Sequence, residues 1–287
     1  MRETWERAAG AWGRRAERIR EWGMPVSLAM VEALDLRPGE SLLELAAGPG
    51  DTGFMAAPRI AAPGGVAAAG ASPAGVAPGT LLCSDGAEAM LALARERAAH
   101  AGVTNVEFRQ MELEWIDLAA AEVDAALCRW GIMLVVDPSA AAREIRRVLR
   151  PGGRAALAVW DLPAGNAWAT IPSAAMVELG HVQASDPDAP GMFALAAPGR
   201  LEALLEDAGF TDVEISTVQL WRRYRSAQEY VEEMIDVSPT FGAAWSGLDG
   251  AERAEVSRLI ADATVPHAAA DGSLALPGSS LVATAHA

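Results

Sequence analysis

Leu42-Leu43-Glu44-Leu45-Ala46-Ala47-Gly48-Pro49-Gly50-Asp51-Thr52-Gly53 is the stretch whose reading decides the fold. It opens as a short apolar run of strand type and closes on G-x-G-x-x-G, formed by Gly48, Gly50 and Gly53, leading into a helical pattern. Glycines let a backbone approach a ligand closely, and a helix N-terminus offers free N–H groups to a carboxylate or phosphate. Taken alone the spacing is a weak signal. Its place between a strand and a helix is what gives it meaning.

Outward from this turn, strand and helix patterns alternate. Upstream, residues 3–22 read as a helix with Trp5, Trp12 and Ile19 at seven-residue spacing and Trp22 three further on. A second helix is expected from Pro25, suited to a first helical turn, to Leu36, before the turn Arg37-Pro38-Gly39. Downstream, strands are expected at 80–84, 105–109, 123–128 and 154–160, and helices at 87–100 and 139–149, with Arg150-Pro151-Gly152-Gly153 as a turn. That alternation implies parallel βαβ units with right-handed crossovers. Beyond residue 160 it breaks: helices are expected near 167–180, 199–208, 227–237 and 249–263, and strands at 211–218 and 280–285. Residues 61–79 hold only Ala, Gly, Pro, Val and one Ser, a low-complexity insertion. Three regions follow: 1–38 as helices covering the site, 39–160 as the ligand-binding core, and 161–287 as a lid plus the last strands.

At 287 residues the chain is long for one domain and short for two full-sized ones. Its net charge is −15 and every basic residue except His is Arg, so no lysine can form a Schiff base. Such an acidic balance argues against nucleic acid as partner. Arg222, Arg223 and Arg225 form a local basic patch, read as a solvated edge. Cys83 and Cys128 end the second and fourth expected strands. With the first strand between them they lie about 10 Å apart, beyond the roughly 7 Å that a disulfide spans; both are expected as free, buried thiols. The four His (100, 181, 267 and 286) show no ligand spacing, and no metal is expected. No uninterrupted apolar run suits a membrane span, and residues 1–7 lack an apolar signal core, so the expectation is a cytoplasmic protein.

Asp85, at the end of the second strand, can accept both hydroxyls of a ribose, which serves NAD and S-adenosylmethionine equally. Glu44 favours the second. A pyrophosphate has little use for an anion beneath the glycine turn, whereas a sulfonium amino acid carries positive charge.

These residues resemble a known family. Leu42 to Gly50 looks like motif I of the class I S-adenosylmethionine-dependent methyltransferases, and Ser84-Asp85-Gly86-Ala87-Glu88-Ala89-Met90-Leu91 is similar to their second motif. Arg147-Val148-Leu149-Arg150-Pro151-Gly152-Gly153-Arg154 matches the segment before their fifth strand, as in the ubiquinone/menaquinone-biosynthesis type. The resemblance implies a Rossmann-like α/β fold, a mostly parallel seven-stranded sheet with helices on both faces and a helical lid. It also implies S-adenosyl-L-methionine as cofactor. Glu44, Ala46, Gly48 and Gly50 would hold its methionine moiety, and Asp85 its ribose, with Gly86 and Met90 beside it. Glu112 in Gln110-Met111-Glu112-Leu113 would face the adenine, with Met111 and Leu113 lining it, and Arg129-Trp130-Gly131 would floor the methionine end. Ala46 departs from the pattern, standing where many members have glycine.

Methyl transfer from a sulfonium is an in-line displacement, so a protein mainly aligns the partners and excludes water. If a base is used, His181 in the lid and Asp161 after the fifth expected strand are the candidates. Arg129 would clamp a substrate carboxylate or pair with an internal acid such as Glu44 or Asp161. The expected partner is a small-molecule methyl acceptor, without nucleic acid or membrane span, and a homodimer is compatible with the sequence. An NAD-dependent oxidoreductase and a catalytically silent cofactor-binding protein remain the other readings.

Overall fold

Short runs that are apolar on every side build the centre of the sheet, because parallel strands covered on both faces have no solvated side to mark with polar residues. In β1 (Leu42–Leu45) all four residues are buried, and in β2 (Leu81–Asp85) the first four are. The sheet in this computed structural model, which describes residues 2–61, 76–184 and 189–287, has seven strands in the order β3-β2-β1-β4-β5-β7-β6. The remaining strands are β3 (Val106–Gln110), β4 (Val123–Arg129), β5 (Leu149–Trp160), β6 (Thr211–Tyr224) and β7 (Leu274–His286). The first five pair in parallel, and β7 runs antiparallel to both β5 and β6. Chain order reverses on either side of β1, so the crevice at the carboxyl ends of β1 and β4 is the switch point where such sheets take ligands. Cys83 and Cys128 are opposite Glu44 and Leu45 on the two strands that flank β1, and both are free and buried.

The helices are α1 (Arg2–Ala33), α2 (Asp51–Ile60), α3 (Glu88–Ala101), α4 (Pro138–Val148), α5 (Ala167–Glu178), α6 (Arg200–Asp207), α7 (Ala227–Val237), α8 (Pro239–Ser246) and α9 (Gly250–Thr264). The two helices expected before residue 37 are one, a continuous helix of 32 residues with Pro25 inside it. An internal proline costs about 3 kcal/mol through a lost hydrogen bond and a clash. Ile19, Trp22, Val26 and Met30 are all buried and keep helical spacing across Pro25, so an unbroken apolar stripe offsets that cost. Helix α8 was not anticipated; Pro239 opens it and the Ser238 hydroxyl accepts from Phe241 N.

Three strand boundaries also differ from expectation. Pairing jumps from Val123↔Leu149 to Ala125↔Arg154, so the Arg-Pro-Gly-Gly turn is a bulge inside β5, with Gly152 at φ 75. Strands β6 and β7 extend their ladder from Val218↔Ser280 to Tyr224↔Leu274, beyond the level of Trp160. In that extension Leu220, Arg222 and Tyr224 alternate inward. Arg222 is therefore not on a solvated edge but 1% exposed. The insertion read at 61–79 lies mostly outside the described residues. Among the described residues no helix is long and apolar enough to cross a membrane.

Candidate active site at the carboxyl ends of β1, β2 and β4

Three residues of the turn after β1 are left-handed: Ala46 at φ 49, Gly48 at φ 52 and Gly50 at φ 83. The turn is tied to β2 through one carboxylate. Gly48 N donates to Asp85 Oδ2 at 2.9 Å, and Ala87 N donates to Asp85 Oδ1 at 2.9 Å. Burial raises the Asp85 pKa, while those two N–H groups oppose the rise. A carboxylate has about four acceptor positions, so Asp85 keeps capacity for hydroxyl donors.

Beneath the turn lies a buried charge group. Glu44 Oε1 accepts from Gly53 N at 2.8 Å, while Glu44 Oε2 is buried without a partner. Gly53 must be glycine, since a Cβ there would collide with Oε2. Burial pushes the Glu44 pKa from 4.5 up to about 8, against the pull of the Gly53 N–H and the Arg129 charge. Asp51 Oδ1 accepts from Arg97 Nη2 at 2.6 Å. Its other oxygen, Oδ2, has no hydrogen bond and faces Arg129 Nη2 at 3.7 Å. Arg129 also donates to Ser27 Oγ at 3.0 Å and lies over the Trp130 ring, 4.7 Å from its centroid. Burial lowers its pKa, and Asp51 and then Glu44 oppose that. The internal acid paired with Arg129 is thus Asp51; Asp161 accepts instead from Ser279 Oγ at 2.8 Å and Leu162 N at 2.7 Å. Asp51 was missing from the sequence candidates although it sits inside the motif.

The second flank gathers the other candidates. Met111 N donates to Asp85 O at 3.1 Å, and Gln110 Nε2 to Gly86 O at 2.8 Å. The Glu112 carboxylate lies against Gly86, where an added Cβ would come within 2.8 Å of Oε2. Met111 and Leu113 are buried, and Met90 is buried with Ala8, Ala9 and Ala87 beside Trp5 and Trp12. Helix α1 roofs this crevice. Trp12 lies over Gly48, its ring 4.0 Å from where a Cβ would stand, and its Nε1 donates to Val237 O at 3.1 Å. Trp130, left-handed at φ 59, donates through Nε1 to Ser280 Oγ at 3.0 Å and stacks on Trp160 with centroids 4.2 Å apart.

His181 follows α5, and its backbone N–H donates to Met176 O at 2.9 Å. With α1 over the crevice, a cleft of about 440 Å³ lies elsewhere, lined by Arg18, Tyr224, Glu229 and His267.

Comparison with known proteins agrees with this geometry. The methyltransferase domain family model matches residues 59–157. The ubiquinone/menaquinone biosynthesis C-methyltransferase of Cellvibrio japonicus is 25% identical over 194 residues, covering 64% of this chain and 72% of that protein. An uncharacterized 37.1 kDa protein from a Streptomyces fradiae transposon is 31% identical over 180 residues, covering 56% of this chain. Those residues span 47% of that relative, about half its length. The crystal structure of the YcgJ protein from Bacillus subtilis superposes with a TM-score of 0.58 at 15% identity, covering 91% of this chain and 97% of that one. Residues 59–157 thus match a methyltransferase domain, and the chain is similar at low identity to the ubiquinone/menaquinone-biosynthesis type of class I S-adenosylmethionine-dependent methyltransferase.

The residues present fit that family's cofactor. Two buried carboxylate oxygens, Glu44 Oε2 and Asp51 Oδ2, lack hydrogen-bond partners beside a left-handed turn. Leaving such acceptors unpaired costs about 1–3 kcal/mol each, more for charged groups, which a cationic ligand would relieve.

Proposed function

We propose that the protein transfers a methyl group from S-adenosylmethionine to an oxygen or carbon of a small, fairly apolar acceptor such as a quinol, a phenol or a natural-product-like molecule. The observation that carries this reading is the orphaned Glu44 Oε2 beneath the glycine turn, a buried carboxyl that a cation would ionise. When bound, the cofactor supplies a methyl group already activated on a sulfonium. Glu44 and Asp51 hold the positive end, Asp85 accepts from the ribose hydroxyls, and Glu112 stands beside Gly86 on the adenine side. Ala46, Gly48 and Gly50 shape the cradle, Met90, Met111 and Leu113 line its apolar flank, and Arg129 and Trp130 floor it.

Residues 1–38 form the roof over the cofactor. Residues 161–184, 189–197 and 226–270 form the lid over the acceptor, so that water is excluded when the nucleophile lines up behind the methyl carbon. Of the two candidate bases, His181 and Asp161, the second is favoured, because it follows Trp160 at the end of β5 and accepts from Ser279 Oγ. An acceptor that arrives ionised needs none.

Calorimetry with S-adenosylhomocysteine and with NAD, followed by product assays on a panel of phenols, quinols and amines, tests the reading. Binding of the demethylated nucleoside with turnover of a panel member supports it. Heat with NAD alone, binding without any turnover, or activity only on a macromolecule overturns it.

A further inference from the structure

Arg222 has no task in the reaction so far described, yet it is among the largest fully buried side chains of the molecule. Its guanidinium lies between two indoles, 4.1 Å from the Trp22 centroid and 4.0 Å from that of Trp168. Nη2 donates to Glu233 Oε1 at 2.9 Å, while Nε and Nη1 are buried without partners. Glu233 is itself 1% exposed and also takes Tyr224 OH at 2.9 Å and Arg18 Nε at 3.4 Å. Arg18, 35% exposed, has a second partner in Glu21 Oε2 at 3.4 Å, so the unmet need lies with Arg222: two idle donors in a place without solvent. Aromatic faces attract a desolvated cation but do not satisfy its N–H groups.

The tryptophans link this charge to the cofactor crevice. Trp22 stacks on Trp130 at 5.4 Å, Trp130 on Trp160 at 4.2 Å, and Trp160 lies 4.8 Å from Trp168. Trp130 adjoins Gly131, which abuts Ala46 at the glycine turn. Trp22 and Arg18 both ride on α1, the roof of the crevice, so raising that helix uncovers the guanidinium and the turn together.

We propose that Arg222 and its tryptophans are the acceptor-recognition site, and that the acceptor is a planar aromatic acid. Its carboxylate takes Nη1 of Arg222, and its ring lies against the indoles, pointing the reactive edge toward the end of β4. The assignment of this ligand as methyl acceptor rests on the methyltransferase reading; the anion site itself does not.

Quenching of tryptophan fluorescence in the whole protein is the test, using benzoate, salicylate, 4-hydroxybenzoate and 2-naphthoate against their primary amides, with S-adenosylhomocysteine binding measured separately. Charge-assisted hydrogen bonds predict that at least one acid binds about 10- to 100-fold more tightly than its amide. In the double variant Arg222→Met/Glu233→Met, which leaves neither charge buried alone, that preference disappears while nucleoside binding persists. Equal binding of acids and amides throughout the wild-type series, or no binding of either, overturns the proposal and leaves the methyltransferase reading standing. An acid preference in a protein that ignores the nucleoside does the reverse. If the double variant fails to fold, the wild-type comparison decides alone.

Discussion

Ala46 and Gly131 interlock across the gap between the ends of β1 and β4: a methyl group at position 131 would collide with Ala46 Cβ and stand 2.9 Å from Cys128 Sγ. Ala46 holds φ 49, a region that favours glycine. The alanine in motif I is thus matched by a glycine on the neighbouring strand end. Gly131→Ala is expected to cost about 1–3 kcal/mol by overpacking. Ala46→Gly alone should be neutral or slightly stabilising, because it removes left-handed strain. Combined, the two should recover part of the loss, with a coupling above about 0.5 kcal/mol. Urea midpoints at unchanged slope measure it, and strict additivity would mean the two sites do not interact.

Glu44 makes the ligand-free protein sensitive to pH in an unusual direction. Its pKa is raised from 4.5 to about 8 by burial. Between those values the folded state holds a proton that the unfolded state releases, so this contribution is complete below the lower value and is lost as pH rises through the upper one. Glu44→Gln should remove that fall while keeping an acceptor for Gly53 N. A bound cation would draw the proton off, so calorimetry of nucleoside binding at pH 7, run in buffers of different ionisation enthalpy, should show proton release in the wild type. The Gln variant should show none and bind more weakly. Identical proton release in both would place the released proton elsewhere.

The central strands and the glycine turn were legible because a strand buried on both faces is a continuous apolar run, and β1, β2 and β4 have that form. Asp85 was legible as an acceptor from its position at a strand end, but its tie to the turn through Gly48 N needed the fold. Arg222 was hidden for the opposite reason. Its strand alternates Leu220, Arg222 and Tyr224 inward, and an inward arginine breaks the pattern by which a strand is recognised. Only the fold supplies its counter-charge, Glu233 on α7. Asp51 reads locally as an acid complementing the start of a helix; its partners Arg97 and Arg129 come from α3 and β4. Pro25 suggested a break in α1 that the apolar stripe on both sides of it overrides.

Asp51 holds two buried guanidinium groups in place. Its side chain is 2% exposed, and those of Arg97 and Arg129 are 19% and 9% exposed. Asp51→Asn leaves Arg129 without its nearest counter-charge, and removing one partner of a buried pair costs about 3–5 kcal/mol. A fall of that size in unfolding free energy is expected. Replacing Asp262, whose side chain is 65% exposed where it meets Arg258, should have a far smaller effect. Equal effects at the two sites would show that the crevice pair is as solvated as the surface one.

Glu6 fastens the roof. Its carboxylate oxygens accept from Glu88 N at 2.7 Å and Ala89 N at 3.0 Å, capping α3 from a different helix. Loss of such a cap costs about 1 kcal/mol. In Glu6→Ala, amide exchange at residues 88 and 89 and in the first turns of α1 should therefore accelerate, while amides of β1 and β4 stay protected. Since Trp12 of the same helix covers Gly48, a nucleoside reaches the turn only when this part of α1 lifts. The open fraction limits apparent affinity in such a case, and 1 kcal/mol corresponds to about a fivefold change in population. Stopped-flow association of S-adenosylhomocysteine should then be about fivefold faster in the variant. An unchanged rate would show that the ligand enters without moving α1. A slower one would show that Glu6 helps to build the occupied site instead of guarding it.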